Sequence, residues 1–167
     1  MRIALTGTPG TGKSTVSRIL AGRYRILSVK ELAEKHGCAE KEGDELLVDV
    51  DCLREKIGCE DCIIEGHLSH LLYPDLIIVL RAHPEVLRKR LEDRNYSHEK
   101  LMENLEAEAI DVILEEAMET GRPVYEIDTT EISPEEVAER IERIINGKGE
   151  EFRPGRIDFS EVILSWY

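Results

Sequence analysis

Short, wholly apolar runs alternate with amphipathic stretches along most of the chain. Ile3-Ala4-Leu5, Cys62-Ile63-Ile64 and Leu76-Ile77-Ile78-Val79-Leu80 are continuous, the mark of strands buried on both faces of a parallel sheet. The pattern predicts strands over 2–6, 25–28, 62–64, 76–80 and 123–127. Between them the apolar period lengthens to that of a helix. Helices are predicted over 14–22, 29–36, 51–57, 85–93, 98–120 and 134–145. Ser28 with Glu31, and Ser133 with Glu136 after Pro134, are capping boxes. Ser97 caps the longest helix, and Gly37 and Gly121 sit where helices stop.

Strands that alternate with helices give an α/β fold: a five-stranded parallel sheet with helices on both faces in three layers, joined by right-handed crossovers. Residues 1–147 read as one domain. The polar, acidic stretch 38–51 reads as an exposed, mobile excursion from it. The tail, 148–167, is punctuated by Gly and Pro, then carries Ile157, Phe159, Val162, Ile163, Leu164, Trp166 and Tyr167. So many apolar groups predict docking on the domain; the alternative is a partner-binding or self-association element.

Composition changes the picture in one respect. The 167 residues carry a formal net charge of −13, which argues against direct nucleic-acid binding and against an anionic membrane surface. No stretch approaches a membrane span, and the first apolar run is too short for a signal peptide, so the expectation is a cytoplasmic protein. A site for a phosphorylated ligand must then draw on local cations. Arg81, Arg88, Lys89, Arg90 and Arg94 cluster in one segment. The four cysteines, Cys38, Cys52, Cys59 and Cys62, fit no zinc module. They are expected as free thiols, with a Cys59–Cys62 disulfide as the alternative.

The chemistry centres on 7–15, GTPGTGKST, which lies between the first strand and the first helix. This is a P-loop in its proper context. Successive backbone N–H groups of Gly10, Thr11 and Gly12 turn inward on an anion, and the helix adds its positive end. Lys13 reaches the β- and γ-phosphates of ATP, and Ser14 can ligate Mg²⁺ with Thr15 beside it. Glu65-Gly66-His67 ends a core strand, where ligands of open α/β sheets bind. Glu65 is placed to hold the metal as a Walker B acid does, and His67 to orient a water or the moving phosphate. Arg90 and Arg94 are four apart on one helical face, as a transition state with charge on several oxygens requires. Residues 29–51 can hold a second substrate opposite the γ-phosphate.

Together, the Pro-containing P-loop, Glu65-Gly66-His67 and the segment from Val79 to Tyr96 (VLRAHPEVLRKRLEDRNY) resemble one branch of the nucleoside-monophosphate kinases. This is the archaeal/nuclear adenylate kinase family, dual adenylate kinases and ATPases linked to small ribosomal subunit assembly. The resemblance implies transfer from ATP to AMP with Mg²⁺, giving two ADP; monomer and homodimer both stay open. It implies that Gly10, Thr11, Gly12, Lys13, Ser14, Thr15 and Arg94 bind ATP. It makes Lys13, His67, Arg90 and Arg94 the catalytic set, and Ser14 and Glu65 the metal ligands. It places an AMP-binding insertion at 29–51, a short lid at 93–103 and the adenine of ATP near 129–133. It also implies a basic small-subunit ribosomal protein as partner, which would make ATP-driven assembly the function and hydrolysis the reset. Two departures stand out. Glu65 replaces the branch's usual Asp. Where an AMP-phosphate Arg is expected the chain reads Ala33-Glu34-Lys35, leaving Lys35 as the substitute cation. A small-metabolite kinase with the same P-loop is the third reading.

Overall fold

The structure is a computed structural model that describes residues 1–167. In chain order it contains β1 (Arg2–Thr6), α1 (Lys13–Leu20), β2 (Ile26–Ser28), α2 (Val29–Lys35), β3 (Ala39–Glu42), β4 (Glu45–Val48), α3 (Val50–Lys56) and β5 (Cys62–Glu65). Then follow β6 (Leu76–Arg81), α4 (Pro84–Leu91), α5 (His98–Ala109), α6 (Val112–Glu119), β7 (Val124–Asp128) and α7 (Pro134–Ile145).

Five strands form a parallel sheet in the order β2-β5-β1-β6-β7, as the alternation of elements predicts. All six residues of β6 are buried. On one face Leu5, Ile78 and Leu80 pack with Val16 and Leu20 of α1 and Val137, Ile141 and Ile144 of α7. On the other, Ala4, Ile77 and Val79 meet Leu114 and Ala117 of α6. A further cluster under α2 and α3 joins Val29, Ala33 and Leu53 to Ile64. Register then sets the site. Leu5 lies beside Glu65, and Thr6 beside Val79. The loop after β1 and the turn after β5 therefore emerge side by side at the carboxyl edge, where the strand order changes direction.

Four expectations need correction. First, 98–120 is not one helix: Asp111 has φ 62° and separates α5 from α6. No Gly or Pro marks this break. It is set by tertiary pairing, because the Asp111 carboxylate accepts a hydrogen bond from Arg81 Nη2 at 2.5 Å. Second, the exposed stretch 38–51 carries strands that the pattern does not predict: an antiparallel hairpin, β3 paired with β4 from Ala39↔Val48 to Glu42↔Glu45. Third, α3 starts a residue early, with the Asp49 side chain accepting from the Cys52 N–H at 3.0 Å. Fourth, the cysteines are not free thiols: Cys38 is bonded to Cys52 and Cys59 to Cys62.

The tail runs back over the domain. Phe152 joins the core beside α7. The Phe159 ring lies 5.4 Å below the Arg81 guanidinium and 5.3 Å from the His83 ring. Trp166 Nε1 donates to Glu85 on α4 at 3.2 Å, and the Tyr167 hydroxyl donates to Glu106 on α5 at 2.7 Å. No helix is long and apolar enough to cross a membrane.

Candidate active site

Residues 7–12 wrap the end of β1 before α1 begins. Gly7 has φ 147°, and a Cβ there would lie 2.5 Å from the Leu80 carbonyl oxygen. Only glycine lets the loop leave the sheet this close to β6. Thr11 is buried, its hydroxyl donating to the Thr8 carbonyl at 2.9 Å. Lys13 folds back into the loop: its Nζ donates to the Gly7 carbonyl at 2.7 Å and to that of Thr8 at 3.1 Å. Burial lowers its pKa to about 8; Glu65 and Glu108 oppose that shift and Arg94 adds to it. An ammonium held on neutral carbonyls in this way gains from exchanging them for phosphate oxygens.

At the end of β5, Gly66 also has φ 147°, and a Cβ would press on the Val29 side chain at 2.8 Å. The turn is thereby held against the start of α2. Burial raises the pKa of Glu65, with Lys13 opposing, so the acid has an opposite charge nearby but no ion pair of its own. Ser14 and Glu65 line one cleft. No group of three or more metal-binding side chains forms a site alone. Oxygen donors arranged so fit a Mg²⁺ ion that arrives on phosphates and keeps much of its water. His67 opens into the same cleft, where the desolvating walls and then the Lys13 charge lower its pKa. His70, by contrast, is structural: fully buried, it bridges the Thr6 hydroxyl and Glu116, each at 2.9 Å.

The cleft measures about 1160 Å³, beyond the ~300–1,000 Å³ typical of a site for one small ligand. Its walls are the P-loop, the hairpin residues 44–48, Arg94, Tyr96 and Lys100 from the α4–α5 region, and an apolar patch of Ile132, Pro134 and Val137 after β7. Of its cations, Arg90 is engaged by protein, donating to the Gly10 carbonyl at 3.2 Å and the Thr129 carbonyl at 3.0 Å. Arg90 thus ties the P-loop to the loop after β7. Lys100 is also engaged: it meets Glu45 of the hairpin at 2.8 Å and stands over the Tyr96 ring, 4.4 Å away. Lys30 and Arg94 line the cleft with no ion-pair partner of their own.

Gly10, Thr11, Gly12, Lys13, Ser14, Thr15, Glu65, His67, Arg90 and Arg94 all line this one cleft. Two sequence expectations do not hold. Arg81 is not a ligand-facing cation: it is 1% exposed and pairs with Glu108, Asp111 and Glu126. Lys35 ends α2 outside the cleft, and Lys30, in the first turn of that helix, lines it instead. Sequence reasoning missed Lys30, Lys100 and Glu108. The last had a signal, since Glu108 shares the buried face of α5 with Leu105 and Ala109, one acid on an apolar stripe.

A P-loop after the first strand of a parallel sheet, sharing one cleft with a strand-end acid and the cations Arg90 and Arg94, is the arrangement of a P-loop nucleotide-phosphate site. The profile described as "AAA domain" matches residues 3–111. A protein of Archaeoglobus fulgidus named "Putative adenylate kinase" is 58% identical over 95% of this chain and 92% of its own length. One of the same name from Pyrococcus furiosus is 45% identical over 97% and 93%. The chain belongs to this family of P-loop nucleoside kinases. Solved structures share the fold at low identity. Deoxyadenosine kinase from M. mycoides with bound dATP has a TM-score of 0.56 at 19% identity, covering 87% of this chain and all of that one. Shikimate kinase from Acinetobacter baumannii has 0.61 at 18%, covering 87% and 93%.

Proposed function

We propose that the protein is an adenylate kinase that moves the γ-phosphoryl group of ATP to AMP and releases two ADP. One observation carries the reading: a single cleft of about 1160 Å³ is lined both by the P-loop and by two cations without ion-pair partners, Lys30 and Arg94. A P-loop serves the donor. The apolar patch at Ile132, Pro134 and Val137 suits the donor's adenine. Lys30, at the head of α2, supplies the acceptor-phosphate cation for which Lys35 is out of place.

In the reaction an oxygen of the AMP phosphate attacks the γ-phosphorus of ATP, and the bond to the β–γ bridging oxygen breaks. The attacking oxygen is already anionic, so no base is needed, and catalysis is positioning plus charge stabilisation. Lys13 leaves the Gly7 and Thr8 carbonyls for the phosphates. Arg94, on the lid, approaches the equatorial oxygens as water is excluded. Arg90 holds the P-loop and the adenine-side loop in fixed relation rather than touching the phosphoryl group. Ser14 and Glu65 would hold Mg²⁺, which neutralises phosphate charge when bound.

Hydrolysis is the same transfer with water as acceptor. His67, with its pKa lowered, is neutral at physiological pH and can accept a hydrogen bond from that water. A cytoplasmic setting suits both substrates. A basic ribosomal partner rests on the net charge of −13 and on family resemblance. The test is ADP formation from ATP and Mg²⁺ with and without AMP, beside CMP, UMP and GMP as acceptors. AMP is expected to stimulate ADP formation far above the rate with water or the other monophosphates. No stimulation by AMP overturns the proposal.

A further inference from the structure

Glu108 is a buried acid that the reaction does not use. It lies near the end of α5, 2% exposed, and its two oxygens serve different parts of the molecule. Oε1 accepts from the Thr8 hydroxyl at 3.0 Å. Oε2 accepts from the Ala82 N–H at 2.8 Å and from Arg81 Nε at 3.2 Å. Ala82 stands just before α4, so the second set of bonds closes the base of the α4–α5 hairpin whose tip, 92–97, carries Arg94. Leu87 of α4 and Leu105 of α5 pack together above that base with Ala82. The first bond reaches the P-loop.

Thr8 is a sensitive place to hold. Its carbonyl accepts from Lys13 Nζ, from the Thr11 hydroxyl and from the Thr11 N–H at 3.2 Å. Fixing the Thr8 side chain therefore fixes the carbonyl around which Lys13 and the loop are arranged. A hydroxyl donating to a buried carboxylate makes a charge-assisted bond, stronger than a neutral one and directional. Burial pushes the pKa of Glu108 up, while Arg81, the Ala82 N–H and the Thr8 hydroxyl act against that shift and favour the carboxylate form; Arg81 is itself held by Asp111 and Glu126.

We infer that Glu108 is a positioning residue for the donor nucleoside triphosphate: one carboxylate closes the base of the lid hairpin and fixes the P-loop through Thr8, so that loop and lid base keep one relative placement. The inference rests on the reading of the P-loop as the ATP site, but not on AMP as the acceptor.

The test is a double-mutant cycle on ATP affinity, with thermal melting in parallel. Thr8→Val removes the hydroxyl at nearly constant shape, Thr8→Ser retains it, and Glu108→Gln weakens the acceptor. Thr8→Val is expected to lower ATP affinity about tenfold, the effect of one lost hydrogen bond to a charged group, and Thr8→Ser to restore it. Glu108→Gln is expected to lower it by several-fold, and the double variant to be little worse than Thr8→Val alone, because both break one link. The KM for the acceptor stays unchanged in all of them, which a general loss of structure would not give. Unaltered ATP affinity in Thr8→Val, or effects of the two substitutions that simply add, overturns the inference. If Glu108→Gln does not fold, the Thr8 pair alone decides it. If wild-type protein binds ATP but does not phosphorylate AMP, the kinase proposal fails while this cycle remains measurable.

Discussion

The ammonium of Lys13 donates to the carbonyl oxygen of Gly7 across 2.7 Å, so the P-loop lysine fills the loop it serves. Burial holds its pKa at about 8. The charged form binds phosphate, so ATP binding must take up a proton wherever free Lys13 is neutral. The KM for ATP is therefore expected to be flat below about pH 8 and to rise above it, while the KM for AMP changes less. A pH series of initial rates checks this. Lys13→Ala is expected to lower kcat roughly 100-fold or more, on the scale of losing one preorganised charge at the transition state.

Lys30 and Lys35 make opposite predictions. Lys30 lines the cleft; Lys35 does not. Lys30→Met is expected to raise the KM for AMP about tenfold, as for loss of one charge-assisted contact, with the KM for ATP and AMP-independent hydrolysis unchanged. Lys30→Arg restores affinity, and Lys35→Met is silent. Steady-state kinetics with each substrate varied in turn separates the two residues.

His67 divides transfer from hydrolysis. An AMP oxygen needs no proton acceptor, whereas water does. His67→Ala is expected to lower hydrolysis in the absence of AMP by about 10²-fold, the scale of one general base, and to lower transfer much less. Phosphate release and ADP formation, measured on the same samples, check the split.

Much of this arrangement is legible in the chain. The apolar runs of β1, β5 and β6 announce the sheet because strands buried on both faces tolerate little else. The P-loop carries its own backbone requirement in its glycines. The hairpin β3–β4 is harder to see: its strands, Ala39–Glu42 and Glu45–Val48, are short, mostly charged and paired only with each other. The fate of Arg81 is hidden for another reason. An arginine after LIIVL looks like a phosphate ligand until α5, α6 and β7 bring three acids around it. The break at Asp111 follows from the same cluster. The Cys38–Cys52 bond joins two ends of the hairpin that become neighbours only when β3 and β4 pair.

That disulfide closes the base of the β3–β4 hairpin, with Asp49 N–H also bonded to the Cys38 carbonyl at 2.7 Å. Replacing both cysteines by serine is expected to cost about 3 kcal/mol of stability, the value for a loop of this length. It is also expected to raise the KM for AMP more than that for ATP. Thermal melting and kinetics of the double variant, beside wild type with and without reductant, test both parts.

Glu126 is the most weakly paired acid of the Arg81 cluster. Its carboxylate oxygens make no hydrogen bond of normal geometry; burial pushes its pKa up to about 7, with Arg81 Nη1, 3.5 Å away, and the nearby Ile157 N–H opposing the shift and Asp111 and Glu108 adding to it. A carboxyl whose folded pKa is raised favours folding fully below its unfolded pKa and loses that contribution as pH climbs through 7. Glu126→Gln is therefore expected to stabilise the protein at pH 8–9 by about 1–3 kcal/mol, with little effect near pH 4. Denaturation midpoints of both proteins across that range decide it. Equal pH dependence in the two would remove Glu126 from the account.

Whether one cleft carries a phosphoryl group from ATP to AMP is read by following the γ-phosphate itself. ATP labelled in that phosphate is mixed with AMP, Mg²⁺ and the protein, and the labelled products are separated. Label is expected in ADP, at the β-position gained by AMP, and Lys30→Met is expected to slow its appearance at subsaturating AMP. Label appearing only as inorganic phosphate, at a rate AMP does not change, would contradict transfer to AMP.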